Sequence, residues 1–296
     1  VRTPSIDDEE RRGRVTHSAY GTTAGLAAHL LFRLRRAANT SVLLHDGRLY
    51  ALYEATPPVE IDPETLETLG ERDFDGSVLM TFSAHPHPVP SRQATYNFGV
   101  RYGPWTTLDL YELPWAGRSR RLASIPLRRP SMIHDFAVTE RYAIFLVPPL
   151  RLRRLRALVG WGSYQENLQW SPDEGTEVIV VPFDDPKHPI RFRTEPGYQW
   201  HFAGAFDLAD GREPAVAVDF VRYPDFATNR WIHDLYHAGL DALDAIDATS
   251  PPPHHKLEGP DHASRGRYVR QRLDLSTRRI EPLFEGSTSV EFPVLA

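Results

Sequence analysis

The sequence predicts an all-β fold, and two observations carry the prediction. Short runs of β-branched and aromatic residues recur along the 296-residue chain, separated by Pro, Gly, Asp and Asn. Long helical periodicity is scarce and is confined to residues 24–36 and 229–246, so we expect two helices peripheral to a β core. Many short strands at this spacing are typical of a sandwich, a barrel or a propeller. The predicted strands are Ser41–Leu44, Leu49–Tyr53, Val78–Phe82, Ala94–Tyr102, Thr107–Leu113, Tyr142–Val147, Glu177–Pro182, Ala215–Phe220 and Tyr268–Leu275.

The first part of the chain contains an acidic run and a predicted hairpin. Residues Asp7 to Glu10 are all acidic and precede two arginines, which indicates a solvated terminus. Further on, the first two predicted strands flank the turn His45-Asp46-Gly47-Arg48. Because an Asp-Gly step favours a two-residue turn with positive φ angles, we predict a β-hairpin here.

Later elements interrupt the strand pattern. The segment Leu150–Trp161 interleaves four arginines with Leu and Val, which favours contact with a membrane surface, the alternative being a basic surface loop. An Asp210-Gly211 step predicts another turn, before the strand Ala215–Phe220. Residues 249–262 are rich in Pro and His and are interpreted as a loop.

Composition excludes several classes of protein. Hydrophobic residues make up 41% of the chain and charged residues 25%, which is typical of a globular domain with a sizeable core. A net charge of −5 gives no general attraction to phosphate backbones, so we expect no nucleic-acid partner. The sequence contains no apolar run of about 18 residues and no apolar signal sequence. We therefore predict a cytoplasmic protein, with the membrane contact described above as a peripheral one.

The chain contains no cysteine, which excludes disulfides, zinc–thiolate sites, iron–sulfur clusters and thiol nucleophiles. Any metal must therefore bind to His, Asp or Glu. Among the 34 basic residues only Lys187 and Lys256 are lysines. We interpret this bias as the mark of a GC-rich, bacterial coding sequence.

Three of the thirteen histidines lie in contexts unlike the others. His85, His134 and His201 each lie at or beside a predicted strand end, in apolar surroundings. An imidazole buried there must bind something to replace its lost hydration, and one divalent metal satisfies several imidazoles at once. The alternative for each is a structural histidine held by an ordinary hydrogen bond.

Six short motifs together resemble the carotenoid cleavage oxygenase family. Their order along the chain matches the family, and they span nearly the whole sequence. The resemblance implies a seven-bladed β-propeller whose axis holds a non-haem Fe(II) on four histidines, three of them braced by glutamates. The motifs are Asn39–Val42, Leu49–Glu54, Ile61–Gly70, Ala84–Pro86, Met132–Phe136 and Glu291–Pro293.

Site residues follow from this resemblance position by position. His85, His134 and His201 match the first three iron ligands, while Glu54 and Glu291 match two of the bracing carboxylates. Neutral imidazoles suit Fe(II), and a carboxylate that accepts the remote N–H fixes the tautomer and orientation of each ring. Two alternatives stay open: Glu54 as an exposed residue after a strand, and Asp135 beside His134 as a residue that only holds a turn.

The sequence also departs from the family pattern. After the third histidine the family usually has Asn-Ala-aromatic-Glu, whereas this chain has Gly204–Asp207. The fourth histidine ligand and the third bracing glutamate lie beyond the Glu-Phe-Pro motif in the family, and no histidine here matches that ligand. We therefore expect a single propeller domain over residues 1–296 that is incomplete and truncated at both ends relative to the family.

The resemblance implies an Fe(II)-dependent dioxygenase that uses dioxygen to cleave a conjugated C=C bond of a carotenoid or apocarotenoid into two carbonyl products. The stilbene-cleaving branch commonly has a lysine before the first bracing glutamate, where this chain has Tyr53, which favours the carotenoid class. Alternatives are a stilbene-cleaving dioxygenase, or a non-catalytic propeller that binds a hydrophobic ligand or a protein partner if the chain naturally ends at residue 296.

Rival sites have weaker support. His233 and His237 have the i, i+4 spacing of zinc peptidases but lack the catalytic glutamate, so a solvated helix face is the simpler interpretation. His254, His255 and His262 could bind a metal adventitiously, but they lie in the Pro-rich segment, where a flexible loop is the simpler interpretation. Neither a Gly-x-Ser-x-Gly motif nor a nucleotide-binding glycine motif is present.

Overall fold

A computed structural model describes residues 1–26, 28, 35–103, 105–209, 214–230, 265–291 and 293. Within these residues the strands form four antiparallel sheets of four strands each and one two-stranded ribbon. Two helices lie wholly within the described residues, α1 (Pro4–Arg12) and α2 (Arg154–Leu158), with 3-10 turns at Pro90–Arg92, Gln165–Asn167 and Pro172–Glu174. The chain is therefore mostly β, as the sequence predicts.

Each sheet is built from strands that follow one another in the sequence. Sheet 1 contains β1 (Ser41–His45), β2 (Arg48–Leu52), β3 (Val59–Ile61) and β4 (Thr68–Glu71), and sheet 2 contains β5 (His87–Val89), β6 (Ala94–Arg101), β7 (Thr107–Pro114) and β8 (Arg120–Pro126). Sheet 3 begins with β9 (Ala137–Val138) and β10 (Tyr142–Val147), then is interrupted by the ribbon of β11 (Leu150–Leu152) and β12 (Leu168–Trp170), and ends with β13 (Thr176–Pro182) and β14 (Ile190–Thr194). Sheet 4 contains β15 (Phe202–Leu208), β16 (Ala215–Arg222), β17 (Arg267–Asp274) and β18 (Arg279–Ser289).

The predicted hairpin at the start of sheet 1 is confirmed. β1 and β2 pair in antiparallel register, with His45 opposite Arg48. Both turn residues between them have positive φ, 49° at Asp46 and 69° at Gly47. Positive φ at both central positions defines the type I′ turn, whose twist matches that of the strands it joins.

Inner strands of sheets 2 and 3 are buried on both faces because each of these sheets packs between two others. In β10, Phe145 and Val147 pack in the core shared with sheet 2, whereas Ile144 and Leu146 pack in the core shared with sheet 4. Successive side chains of a strand point to opposite faces, so one continuous apolar run supplies two cores. Inner strands are therefore the easiest strands to recognise from the sequence.

The sheets pack on one another in chain order. Tyr50 and Leu52 of sheet 1 share a core with Tyr111 and Leu113 of sheet 2. Sheet 2 then packs on sheet 3, and sheet 3 on sheet 4. Consecutive four-stranded meanders stacked in this way are the arrangement of propeller blades. The number of seven blades and the incompleteness of the propeller stay predictions.

One predicted strand is wrong. Residues Val78–Phe82 contain two buried apolar side chains, Val78 and Phe82, but form no strand. Their backbone amides donate to carbonyls in two different segments, at residues 73 and 56 respectively. The segment crosses from sheet 1 to sheet 2 and so has no single neighbouring strand with which to form a ladder.

The interpretation of the acidic run as a solvated terminus holds for Asp7 and Glu10, which are exposed, but not for Glu9. The run lies in α1, and Glu9 is buried. Its carboxylate accepts hydrogen bonds from the amides of Thr16 and His17, at 3.1 and 3.0 Å, and pairs with Arg35. A buried carboxylate needs such partners, and here they fix the helix to the following segment.

Several other predictions lie wholly or mostly outside the described residues: the helices at 24–36 and 229–246, the turn at 210–211 and the Pro-rich loop at 249–262. Among the described helices, none is long and apolar enough to cross a bilayer.

Candidate metal centre

One histidine precedes each of three sheets, and the three histidines lie close together. His85 lies two residues before β5, His134 three residues before β9 and His201 one residue before β15, so each precedes the first strand of its sheet. β9 contacts both β5 and β15. Equivalent positions on successive sheets therefore meet, which is how a stack of meanders can build one site from distant parts of the sequence.

The imidazole nitrogens of these histidines converge closely. Nε2 of His134 lies 3.1 Å from Nε2 of His85 and 3.2 Å from Nε2 of His201. The candidate ligand atoms of all three residues lie within 4.8 Å of one another. Two nitrogens bound to one metal at about 2.1 Å, at a right angle to each other, are about 3.0 Å apart. The spacing therefore fits a shared metal ion.

Two carboxylates approach the histidines from outside the cluster. Glu54, two residues after β2, places Oε1 2.5 Å from Nδ1 of His134 and 4.0 Å from Nε2 of His85. Glu291, two residues after β18, accepts a hydrogen bond at 2.7 Å from Nδ1 of His201. The structure thus brings together all five residues that the resemblance indicated, and Glu54 is part of the cluster rather than a freely exposed side chain.

The orientation of the imidazoles presents Nε2 lone pairs to a bound cation. Because the Nδ1 hydrogens of His134 and His201 face carboxylates, their Nε2 atoms carry lone pairs that point at each other across 3.2 Å. Burial lowers the pKa of His85 to about 4, so this imidazole is also neutral at neutral pH. Facing lone pairs repel unless a cation or a proton lies between them, and three imidazoles that offer Nε2 lone pairs are a suitable donor set for a divalent ion.

Glu54 also changes the proton affinity of His134. Burial alone lowers the pKa of His134, but the charge of Glu54 and its hydrogen bond oppose burial and raise the pKa above its usual value. The metal-free cluster therefore holds a proton on His134 more readily than on His85, and a metal has to displace it.

Asp135 does more than hold a turn. It accepts a hydrogen bond from the amide of Phe136 at 2.8 Å, as a turn-holding residue does. Its carboxylate also accepts hydrogen bonds from His87 Nε2 at 3.0 Å and from the Phe202 amide at 2.8 Å. Asp207 stands where the family usually has a glutamate after the third histidine. It forms an ion pair with Arg141, at 3.2 Å.

The histidines lie on the wall of a cavity of about 2010 Å³. Sequence reasoning missed most of its other walls, including Tyr102, Tyr164 and Trp200. The Trp200 ring lies edge-on to His134 with centroids 5.0 Å apart. The one sequence signal for Trp200 as a wall residue is its position next to His201. The rival histidines at 233, 237, 254, 255 and 262 lie outside the described residues.

Comparison with known proteins places this chain in a family. The whole chain, residues 1–296, matches the family described as retinal pigment epithelial membrane protein, and the chain belongs to that family. It is 32% identical over 219 residues to the apocarotenoid-15,15'-oxygenase of Synechocystis sp., which covers 70% of this chain and 44% of that enzyme. It is 30% identical over 280 residues to resveratrol cleavage oxygenase 1 of Chaetomium globosum, covering 84% of this chain and 46% of the relative.

A solved structure of a point mutant of the Synechocystis apocarotenoid oxygenase superimposes with a TM-score of 0.76 at 25% identity, over 95% of this chain and 56% of the other. This chain therefore spans about half the length of the relatives it matches. These relatives are oxygenases of carotenoid-derived or stilbene substrates, so oxidative cleavage of a C=C bond is supported at the level of the family.

Proposed function

We propose that this chain holds Fe(II) through His85, His134 and His201, and that it serves a dioxygenase that cleaves a conjugated C=C bond of a carotenoid or apocarotenoid into two carbonyl products. The observation that carries the proposal is the convergence of three imidazole Nε2 atoms on the wall of a large cavity. The four sheets are, in this proposal, consecutive blades of a seven-bladed propeller.

Each neighbouring residue has a defined task in this proposal. Glu54 lies in ion-pair contact with Nδ1 of His134, and Glu291 accepts the Nδ1 hydrogen of His201, so both carboxylates hold the rings with Nε2 toward the ion. Tyr223 donates to the other oxygen of Glu291 and so fixes that carboxylate in turn. Bound Fe(II) supplies the reaction with dioxygen. The protein supplies placement of the alkene and exclusion of water from an aromatic-lined cavity.

The carotenoid class is favoured by the residue before Glu54. Tyr53 lines the cavity, and burial together with the nearby Glu54 charge raises its pKa to about 12. Its hydroxyl keeps its proton at neutral pH, so it cannot deprotonate a phenol as a basic side chain could. A stilbene remains the second candidate, because one relative is a resveratrol cleavage oxygenase.

A peripheral membrane contact is a further part of the proposal. Leu155 of α2 is 82% exposed and Trp161 just beyond α2 is 69% exposed. Arg154 donates to Thr106 at 3.3 Å, which places the exposed Trp105 beside the same helix. Exposed apolar side chains among arginines fit the interface of an anionic bilayer, where a carotenoid substrate is dissolved.

Iron content and product analysis test the function together. We expect the purified protein to bind iron and to convert a carotenoid or apocarotenoid into two carbonyl products under air. His134→Ala should lose both the iron and the turnover, whereas His188→Ala, at an exposed histidine paired with Asp185, should keep both. Iron and rate retained in His134→Ala would show that the ligand assignment is wrong, and cleavage of stilbenes alone would overturn the substrate class.

A further inference from the structure

Two tyrosine hydroxyls on the cavity wall form a short hydrogen-bonded chain. The Tyr102 hydroxyl donates to the backbone carbonyl of Ser131 at 3.0 Å. The Tyr164 hydroxyl lies 2.9 Å from the Tyr102 hydroxyl. Both residues line the cavity that also contains the three histidines. The chain of hydroxyls therefore begins at the cavity and ends on the backbone.

The number of available hydrogens determines which hydroxyl donates in each of these hydrogen bonds. A tyrosine hydroxyl has one hydrogen to donate, and a carbonyl oxygen can only accept. Tyr102 uses its hydrogen on Ser131, so the hydrogen between the two hydroxyls has to come from Tyr164. Tyr164 then has no hydrogen left, and its oxygen can offer only lone pairs to a ligand.

This proton count holds at neutral pH. Burial raises the pKa of Tyr102 to about 12, and burial together with Tyr102 itself raises the pKa of Tyr164 well above its usual value. Neither hydroxyl is ionised under physiological conditions. Both hydrogens are therefore present, and each is already used in one hydrogen bond.

The Tyr164 side chain also lines the space that a ligand would fill. Both tyrosine side chains are only partly buried, and the cavity is the space beside them. Within the described part of the chain the two hydroxyls bond only to each other and to Ser131. Since Ser131 is three residues before His134, the anchor lies within about 10 Å of that histidine along the backbone.

We propose that Tyr164 and Tyr102 form an acceptor-only subsite that binds the hydroxyl group of an alkene substrate and disfavours a carbonyl oxygen at the same position. A hydroxyl can donate to the Tyr164 oxygen, whereas a carbonyl would set its own lone pairs against it. The inference rests on the proposed function for the kind of molecule that fills the cavity, and it adds which end group that molecule carries.

Binding of two matched polyenes to metal-free protein tests the subsite without any turnover. The probes are all-trans-retinol and all-trans-retinal, which differ in a terminal hydroxyl or aldehyde, and quenching of tryptophan fluorescence reports their dissociation constants. We expect the wild type to bind the alcohol about three- to tenfold more tightly, the effect of one hydrogen bond.

Tyr102→Phe is the decisive variant because it releases the hydrogen of Tyr164. Tyr164 can then donate to an aldehyde, so the preference for the alcohol should vanish or reverse. Tyr164→Phe removes the outer oxygen, so the alcohol should bind more weakly and lose its advantage, whereas aldehyde binding should not weaken. Tyr96→Phe is the matched control, since Tyr96 is fully buried, donates to Glu112 at 2.8 Å and does not line the cavity.

Failure of the subsite proposal can be distinguished from failure of the proposed function. Equal affinities in the wild type, an unchanged preference in Tyr102→Phe, or no binding of either polyene would overturn the subsite. A protein that cleaves both polyenes but binds them equally keeps the proposed function and loses the subsite. A protein that discriminates between them without cleaving either keeps the subsite alone.

Discussion

The carboxylate of Asp135 accepts a hydrogen bond from the backbone amide of Phe202, with 2.8 Å between the atoms. This bond joins the start of sheet 4, next to His201, to the residue that follows His134. The other carboxylate oxygen accepts from His87, which lies two residues after His85. One buried carboxylate thus connects the three segments that carry the histidine cluster.

Asp135→Asn should loosen that connection. The amide keeps one acceptor oxygen but replaces the other with a donor, so either His87 or the Phe202 amide loses its partner. We expect a loss of about 1–3 kcal/mol in the free energy of unfolding from one unsatisfied buried donor. The affinity for Co(II) should fall by about 10- to 100-fold, as for other residues that orient metal ligands, with altered Co(II) absorption bands.

Asp219→Asn controls for a general loss of stability. Asp219 is fully buried and pairs with Arg270 through two contacts of 2.7 Å within sheet 4, away from the cavity. This variant should also be destabilised, but its Co(II) spectrum and affinity should match those of the wild type. If Asp135→Asn likewise kept the wild-type spectrum and affinity, Asp135 would have no role in positioning the ligands.

The cluster residues could be predicted from the sequence because each lies in a short local motif. His85, His134 and His201 are marked by apolar surroundings at strand ends, and the resemblance supplied Glu54 and Glu291. The role of Asp135 could not be predicted, because its partners are 48 and 67 residues away and one of them is a backbone amide. Nothing in a local pattern encodes an interaction of that kind.

The long inner strands could be predicted from the sequence, whereas the long strand at the edge of sheet 4 could not. β6 and β16 appear as nearly continuous runs of buried residues, and both were found. β18 is eleven residues long but almost entirely exposed, and it was missed. A strand at the edge of a sheet buries few side chains, so its sequence lacks the apolar pattern by which strands are identified.

Metal binding should release protons, and the number released for each bound metal ion should depend on pH. Because Glu54 raises the pKa of His134, part of the metal-free protein is protonated there near neutral pH, and the metal has to displace that proton. Proton release should therefore grow as the pH falls toward that pKa and vanish well above it. Calorimetric titration with Zn(II) in buffers of different ionisation enthalpy measures the number released.

Glu54→Gln should shift this release to lower pH, because removing the charge lowers the pKa of His134. Glu64→Gln, at an exposed glutamate, is the control and should leave the curve in place. Identical release curves for the wild type and Glu54→Gln would contradict the assigned cause.

Gly99 in β6 is required by a close backbone approach. A Cβ atom at this position would lie 2.1 Å from the backbone carbonyl oxygen of Thr81, and a backbone atom cannot move aside easily. We expect Gly99→Ala to lower the free energy of unfolding by about 1–3 kcal/mol through overpacking, measured by chemical denaturation. Gly286→Ala in β18, where the nearest atom would be 3.5 Å away, should change stability much less. Equal effects of the two substitutions would exclude steric overlap as the reason for glycine at position 99.

The exposed side chains around α2 should bind anionic membranes. Arginine stems can lie along the lipid while their charged groups meet the headgroups, at about 1 kcal/mol for each basic residue near the surface. Leu155→Ser combined with Trp161→Ser removes the apolar contribution, so co-sedimentation with vesicles that contain phosphatidylserine should fall. Leu44→Ser combined with Phe284→Ser is the control, since these side chains are also exposed but lie in sheets 1 and 4. Equal sedimentation of the wild type and the Leu155/Trp161 double variant would leave a basic surface loop as the description of this segment.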